Sequence, residues 1–171
     1  FKIEVLGDLH DVVRAAPLAN LVLGMENGLA ATPLPLLLEP EEGEFGTLYG
    51  HVAKANPIWQ CETRSPALAI FMGPNAYITP SWYVTKQETG KVVPTWNYVA
   101  VHVQGAVDFI TDEDVLLGIV TKLTSEHEAG RDTPWAVSDA PEDFVRKQLG
   151  AIVGVRMTIT SVDGNRKMSQ N

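Results

Sequence analysis

LANLVLGMENGLAATPLPLLL, residues 18–38, decides the fold. Leu18 to Met25 is rich in strand formers, Asn27-Gly28 is the strongest short-range hairpin signal, and Leu29 to Leu38 reads as the returning strand. The two strands are expected to pair. Pro33 and Pro35 each remove a ladder donor from the second strand, which assigns them to a barrel edge, a bulge or the wall of a binding site.

Outward from this hairpin the chain alternates strands with a few separate helices. Asp8 to Ala16 has Leu9, Val12 and Val13 on one side and is stopped by Pro17, so a short entry helix precedes the hairpin. After it, Glu41-Glu42-Gly43 reads as a turn and Gly46 to Val52 as a third strand that runs directly into a helix beginning at Ala53. Ala67 to Met72 and Ala76 to Thr79 are two further strands. In Val99 to Ile110, Val101, Val103, Val107 and Phe109 face one way and His102, Gln104 and Asp108 the other. Thr111-Asp112-Glu113-Asp114 is an N-terminal cap with acids that suit the helix dipole, and Leu116, Ile119, Val120 and Leu123 carry that helix towards Gly130. A second helix starts at Ser138 to Glu142 and ends at Gly150. A last strand, Ile152 to Val162, is expected to turn at Asp163-Gly164 into Asn165 to Asn171. No repeat or linker divides the chain, so residues 1–171 read as one α+β domain built on a small antiparallel barrel.

Charge and composition narrow the partners. The net charge of −8 opposes broad contact with nucleic acid, because phosphate binding depends on exposed Lys and Arg. Arg166-Lys167 is the nearest thing to a basic cluster and reads as a solvated hairpin end. Cys61 is the single cysteine, which rules out an intrachain disulfide and suits a reducing compartment such as the cytoplasm. No apolar run reaches the roughly 18 residues of a spanning helix. The chain opens at Phe1 without a methionine, leaving room for a removed or preceding segment.

Familiar catalytic patterns are missing. His10, His51, His102 and His127 show no ligand spacing, so no metal is assigned, and there is no nucleophile-elbow, Rossmann or Walker motif. Cys61 reads as a small buried hydrophobe. Two stretches remain. Gly50 to Asn56 places small residues, a lysine and backbone amides where a strand meets a helix start, a corner suited to a phosphate. Taken alone, Lys54 is more often a solvated surface lysine and Asn56 a turn or cap residue. Tyr77 to Tyr83 and Lys91 to Tyr98 concentrate aromatics, prolines and hydroxyls, which suit either a planar heteroaromatic ligand or a hydrophobic dimer interface.

The runs TPLPLLLEP, GTLYGHVAKANPIW, FMGPNAYITPSWY, GKVVPTWNYVAVHVQG, HEAGRDTPWAVSDAPEDF and KMSQN together resemble the PaiB family of FMN-binding negative transcriptional regulators, over nearly the whole chain. The resemblance implies the FMN-binding split β-barrel, related to pyridoxamine 5′-phosphate oxidases and flavin reductases, with a homodimer carrying two flavin sites at its interface. It implies that Thr32, Pro33, Leu34 and Leu36 run along the isoalloxazine, and that His51, Val52, Ala53, Lys54 and Asn56 hold the ribityl phosphate. Thr95, Trp96 and Asn97, with Ser169 and Gln170 of the partner chain, would complete the pocket. The arginine-rich phosphate motif of the oxidases is not evident here, and no helix-turn-helix accompanies the regulator's role, so direct DNA binding is weakly supported. Three functions follow: a flavin-binding regulator of sporulation and degradative-enzyme genes, an FMN-dependent oxidoreductase or flavin reductase, and a haem-binding or cofactor-free barrel. No catalytic residue is assigned.

Overall fold

A computed structural model describes residues 1–26, 28–60 and 66–170. Its strands are β1 (Lys2–Ile3), β2 (Leu18–Met25), β3 (Gly28–Pro35), β4 (Leu37–Glu39), β5 (Thr47–Ala53), β6 (Ala67–Ile78), β7 (Thr95–Ile110) and β8 (Ile152–Lys167). The helices are α1 (Leu6–Ala15), α2 (Val84–Glu88), α3 (Glu113–Glu128) and α4 (Glu142–Leu149). All pairings are antiparallel, in the order β3-β2-β6-β7-β8-β5-β4, with β1 added beside β8. The class is α+β, as the sequence implies.

Closure of the sheet follows from connectivity. β3 and β4 stand at opposite ends of the strand order, yet only Leu36 separates them in the chain. The sheet must therefore curl until its ends meet, and they meet without a shared ladder, so the barrel stays split. Leu36 N donates to Pro17 O at 2.9 Å at this junction. Gly50 of β5 lies so close beneath it that a Cβ would come within 2.7 Å of Pro35 O and 2.9 Å of Leu36 Cδ2. The expected single strand from Leu29 to Leu38 is thus corrected: one residue carries the chain from one end of the sheet to the other.

The β2–β3 pairing runs from Leu18↔Pro35 to Met25↔Gly28, as the hairpin reading requires. Asn27, half of its turn signal, lies outside the described residues, as does Cys61. β3 ends the strand order, so Pro33 and Pro35 sit on an edge, where a missing donor costs little. The core inside the sheet is apolar and close-packed around Leu21, Leu23, Leu48, Phe71, Val101, Val103, Val155 and Met157.

Other expectations change with long-range pairing. Ala67–Met72 and Ala76–Thr79 merge into β6, with an irregularity between Met72 and Asn75. No turn forms at Asp163-Gly164. β8 runs on to Lys167, with Gly164 paired to both Ile3 and Val101. A Cβ on Gly164 would come within 2.3 Å of Leu9 Cδ2, so the glycine admits α1 rather than bending the chain. Arg166 and Lys167 are accordingly strand residues and not a hairpin end; Arg166 N donates to Phe1 O at 2.8 Å. Asp112 caps α3 by accepting from Asp114 N and Val115 N, both at 3.0 Å. A 3-10 turn at Val137–Asp139 precedes α4, which starts at Glu142. Among the described residues no helix is long and apolar enough to cross a membrane.

Candidate functional site

The corner after β5 is a turn, not an α-helix. The helix expected from Ala53 reduces to one 3-10 turn, Pro57–Gln60, because the chain first folds back: Asn56 N donates to Ala53 O and Lys54 N to Ala151 O, both at 2.8 Å. Two amides that an anion was expected to meet are thereby already paired, and no α-helix dipole stands behind them. The Ala55 amide and the Lys54 ammonium keep no partner among the described residues, and both residues are exposed. Trp59 Nε1 donates to Lys54 O at 2.9 Å, fixing the turn from below.

This corner is tied to the edge strand. Asn56 Nδ2 donates to Thr32 Oγ1 at 3.0 Å, and Asn56 Oδ1 accepts from Ile58 N at 3.1 Å. Thr32 is one of the few buried polar side chains, and this bond satisfies it. Leu34 and Leu36, each 2% exposed, turn into the core, whereas Pro33 and Pro35 face outward. Of this strand, then, it is the main chain and the prolines that remain for contact with a ligand. Along β5, Gly50 and Val52 are buried against the interior. His51 alternates to the outer face, below α3 and α4, where burial lowers its pKa from 6.5.

Tyr49, two residues earlier on that outer face, donates to Glu42 Oε2 at 2.6 Å and has the Lys122 ammonium 5.8 Å from its ring centre. Burial first, and then the Glu42 hydrogen bond, push its pKa up to about 12. Sequence reading did not single out this group, because Glu42 and Lys122 reach Tyr49 only through tertiary folding.

Thr95, Trp96, Asn97, Ser169 and Gln170 form a second group. Ser169 Oγ donates to Asn97 Oδ1 at 2.8 Å, and Ser169 holds φ at +55°, a left-handed conformation uncommon outside glycine. Gln170 closes the terminal turn: Nε2 donates to Arg166 O at 2.6 Å, and Oε1 accepts from Met168 N. Trp96 Nε1 donates to Asn75 Oδ1 at 3.2 Å, and its ring stands 6.1 Å from that of Tyr77. A cleft of about 450 Å³ opens here between Phe1, Tyr83, Lys91, Thr95, Lys167 and Ser169.

The two groups lie at opposite ends of β8. Ala53 pairs with Ile152 and Tyr98 with Lys167. By way of the edge strand the path is shorter, since Thr32 pairs with Leu21, Leu21 with Ala69 and Asn97 with Ala76, roughly 23 Å along β6. Thr32 to Asn56 meet within one chain; Thr95–Asn97 and Ser169–Gln170 meet each other but not that corner.

Residues 1–161 match the family model described as "Putative FMN-binding domain". The chain is 30% identical over 172 residues to Protease synthase and sporulation protein PAI 2 of Bacillus subtilis, covering 100% of this chain and 80% of that protein. Among solved structures it is similar to an FAD and heme binding protein from Mycobacterium smegmatis, with a TM-score of 0.69 at 16% identity over 98% of this chain and 74% of the other. It is similar also to a flavocytochrome from Azotobacter vinelandii, with a TM-score of 0.68 at 15% identity over 98% and 70%. Identities this low show a shared fold, the split barrel.

Proposed function

Because the chain belongs to the FMN-binding family that its residues 1–161 match, with FMN as cofactor, we propose that it is a flavin-holding regulatory protein acting as a homodimer in the cytoplasm, the whole chain forming one flavin-binding domain. The observation that carries this reading is the separation of the two residue groups along β8. One chain supplies a tethered corner, and a second chain supplies the aromatic pole that the first cannot bring near it.

In each site, Thr32 to Leu36 offers main chain and prolines to the flat ring, while the Lys54 ammonium and the Ala55 amide hold the phosphate. Lys54 suits this role because its charge is not spent on an ion pair among the described residues, and Gly50 lets the edge strand lie directly over β5. His51, Val52 and Ala53 contribute main chain. The partner's pole adds the faces of Trp96 and Thr95 and the Asn97–Ser169 pair. Tyr77, Trp82, Val84, Val93 and Trp96, each at least half exposed, supply the apolar surface that a subunit contact would cover. Bound FMN supplies redox chemistry; the chain's residues bind and orient it.

The regulatory part of the reading is supported by the likeness to PAI 2, named for protease synthesis and sporulation. With a net charge of −8, regulation runs through protein or small-molecule contacts rather than a broad DNA face.

Mixing two defective proteins tests the shared site. Lys54→Glu and Trp96→Ala homodimers should each lose FMN, read from visible absorption. Exchange of their subunits should then restore part of the uptake, because each mixed dimer has one intact site. A monomer by light scattering, or no recovery on mixing, defeats the dimer-shared site. Rapid turnover of the bound flavin with NADPH or NADH would replace the regulator by an oxidoreductase.

A further inference from the structure

Below α3 and α4, on the outer face of β5 and β8, a cavity of about 290 Å³ is lined by His51, Val120, Trp135, Phe144, Gln148 and Ile152, with aliphatic side chains making up the rest. Among the described residues its lining includes no Lys, Arg, Asp or Glu. A larger neighbour of about 510 Å³ shares Val137, Ala140 and Val145 with it, but the guanidinium there is already engaged: Arg146 donates to Asp114 at 2.8 Å.

His51 is not engaged. Its Nδ1 is buried without a hydrogen-bond partner among the described residues, whereas Nε2 is not closed off in this way. A proton on Nδ1 would be sealed from any acceptor, so the favoured tautomer carries it on Nε2, the ring nitrogen that burial leaves open to a partner. Gln148 adds an amide that both donates and accepts. At the rim Trp135 and Phe144 are 48% and 54% exposed, two aromatic rings with faces open to a ligand.

We infer that this cavity is a second ligand site, separate from the flavin corner, for a small uncharged aromatic amide. The ring lies against Trp135 and Phe144, the carbonyl oxygen accepts from His51 Nε2, and the amide N–H donates to Gln148 Oε1. The volume stands near the lower end of small-ligand pockets, about 300 Å³, enough for one ring and its substituent. A carboxylate in the same place would lose part of its hydration and meet no cation among the described lining residues. Burial keeps His51 neutral at neutral pH, so the imidazole supplies no charge either. Ala151, part of the wall, accepts from Lys54 N at 2.8 Å, which sets the ligand one hydrogen bond away from the proposed phosphate corner.

Benzamide and benzoate are the probes, titrated into the full chain by calorimetry, with FMN absent and with FMN bound. Benzamide should saturate with a dissociation constant on the order of 1 mM or below, the range open to a fragment of its size, and benzoate should bind at least about tenfold more weakly. Gln148→Leu and Phe144→Ala should each weaken benzamide by about fivefold or more, with circular dichroism and FMN uptake as in the wild type. No saturable benzamide binding, equal binding of benzoate, or unchanged binding by both variants would overturn the site. FMN uptake by the same samples reports on the flavin corner separately, so failure of one site is not mistaken for failure of the other.

Discussion

Asn56 Nδ2 donates to Thr32 Oγ1 across 3.0 Å, and this bond joins the turn after β5 to the edge strand β3. Asn56→Ala removes it together with the acceptor for Ile58 N, so a loss of about 1–3 kcal/mol is expected in urea unfolding. Thr32→Val removes only the first bond and should cost less. Both should release FMN faster. Equal stability of the two variants and the wild type would show that the bond contributes nothing in solution.

Gly50→Ala tests the close approach of β5 to the junction. The added methyl would meet the Pro35 carbonyl at 2.7 Å, and a backbone atom cannot move aside as a side chain can. A destabilisation of about 1–3 kcal/mol is expected, with weaker FMN retention, measured by thermal unfolding and flavin fluorescence.

Lys54→Ala should keep the fold and the circular dichroism spectrum, since its ammonium has no partner among the described residues. FMN affinity should fall by about tenfold or more, the scale of one charge-assisted hydrogen bond. Unchanged affinity would place the phosphate elsewhere, with the Lys91 and Lys167 cleft the next position to examine.

His51 should give stability a definite pH dependence. Its folded pKa lies below 6.5, so in acid the unfolded chain takes up this proton before the native one does. Its contribution is complete above about pH 6.5 and is lost as the pH falls towards the lowered value. Urea unfolding between pH 5 and 7.5 should show that slope, and His51→Gln should lack it. Parallel curves for the two proteins would count against the burial.

Tyr49 should ionise at about 12, well after an ordinary phenol. Since its unfolded pKa is near 10.0, the stabilisation is full below that pH and fades as the pH rises through 12. In an ultraviolet titration Glu42→Gln should bring the Tyr49 transition down, because it removes a charged acceptor. A transition unmoved by the substitution would mean that desolvation alone holds the phenol.

Much of this protein could be read from local pattern. The hairpin of Leu18 to Met25 with the strand that follows Asn27-Gly28, the Asp112 cap and the two-residue alternation of Val99 to Ile110 depend on neighbours a few residues away, so the string of residues pointed to them. The end of the returning strand at Pro35 and the edge position of Pro33 and Pro35 came from the fold. The KMSQN and GHVAKANP runs pointed to the family that residues 1–161 match.

Tertiary structure alone decided the rest. Gly164 looked like a turn until Leu9 was found packed against it, and the Ala53 corner looked like a helix until Ala151 took its amide hydrogen bond. Leu36 carried no mark of spanning the two ends of a sheet. A short window records periodicity and propensity, which are properties of contiguous residues. Closure of a barrel, the burial of His51 and the separation of the two residue groups along β8 depend on atoms brought together from distant parts of the chain, and only the folded packing sets those distances.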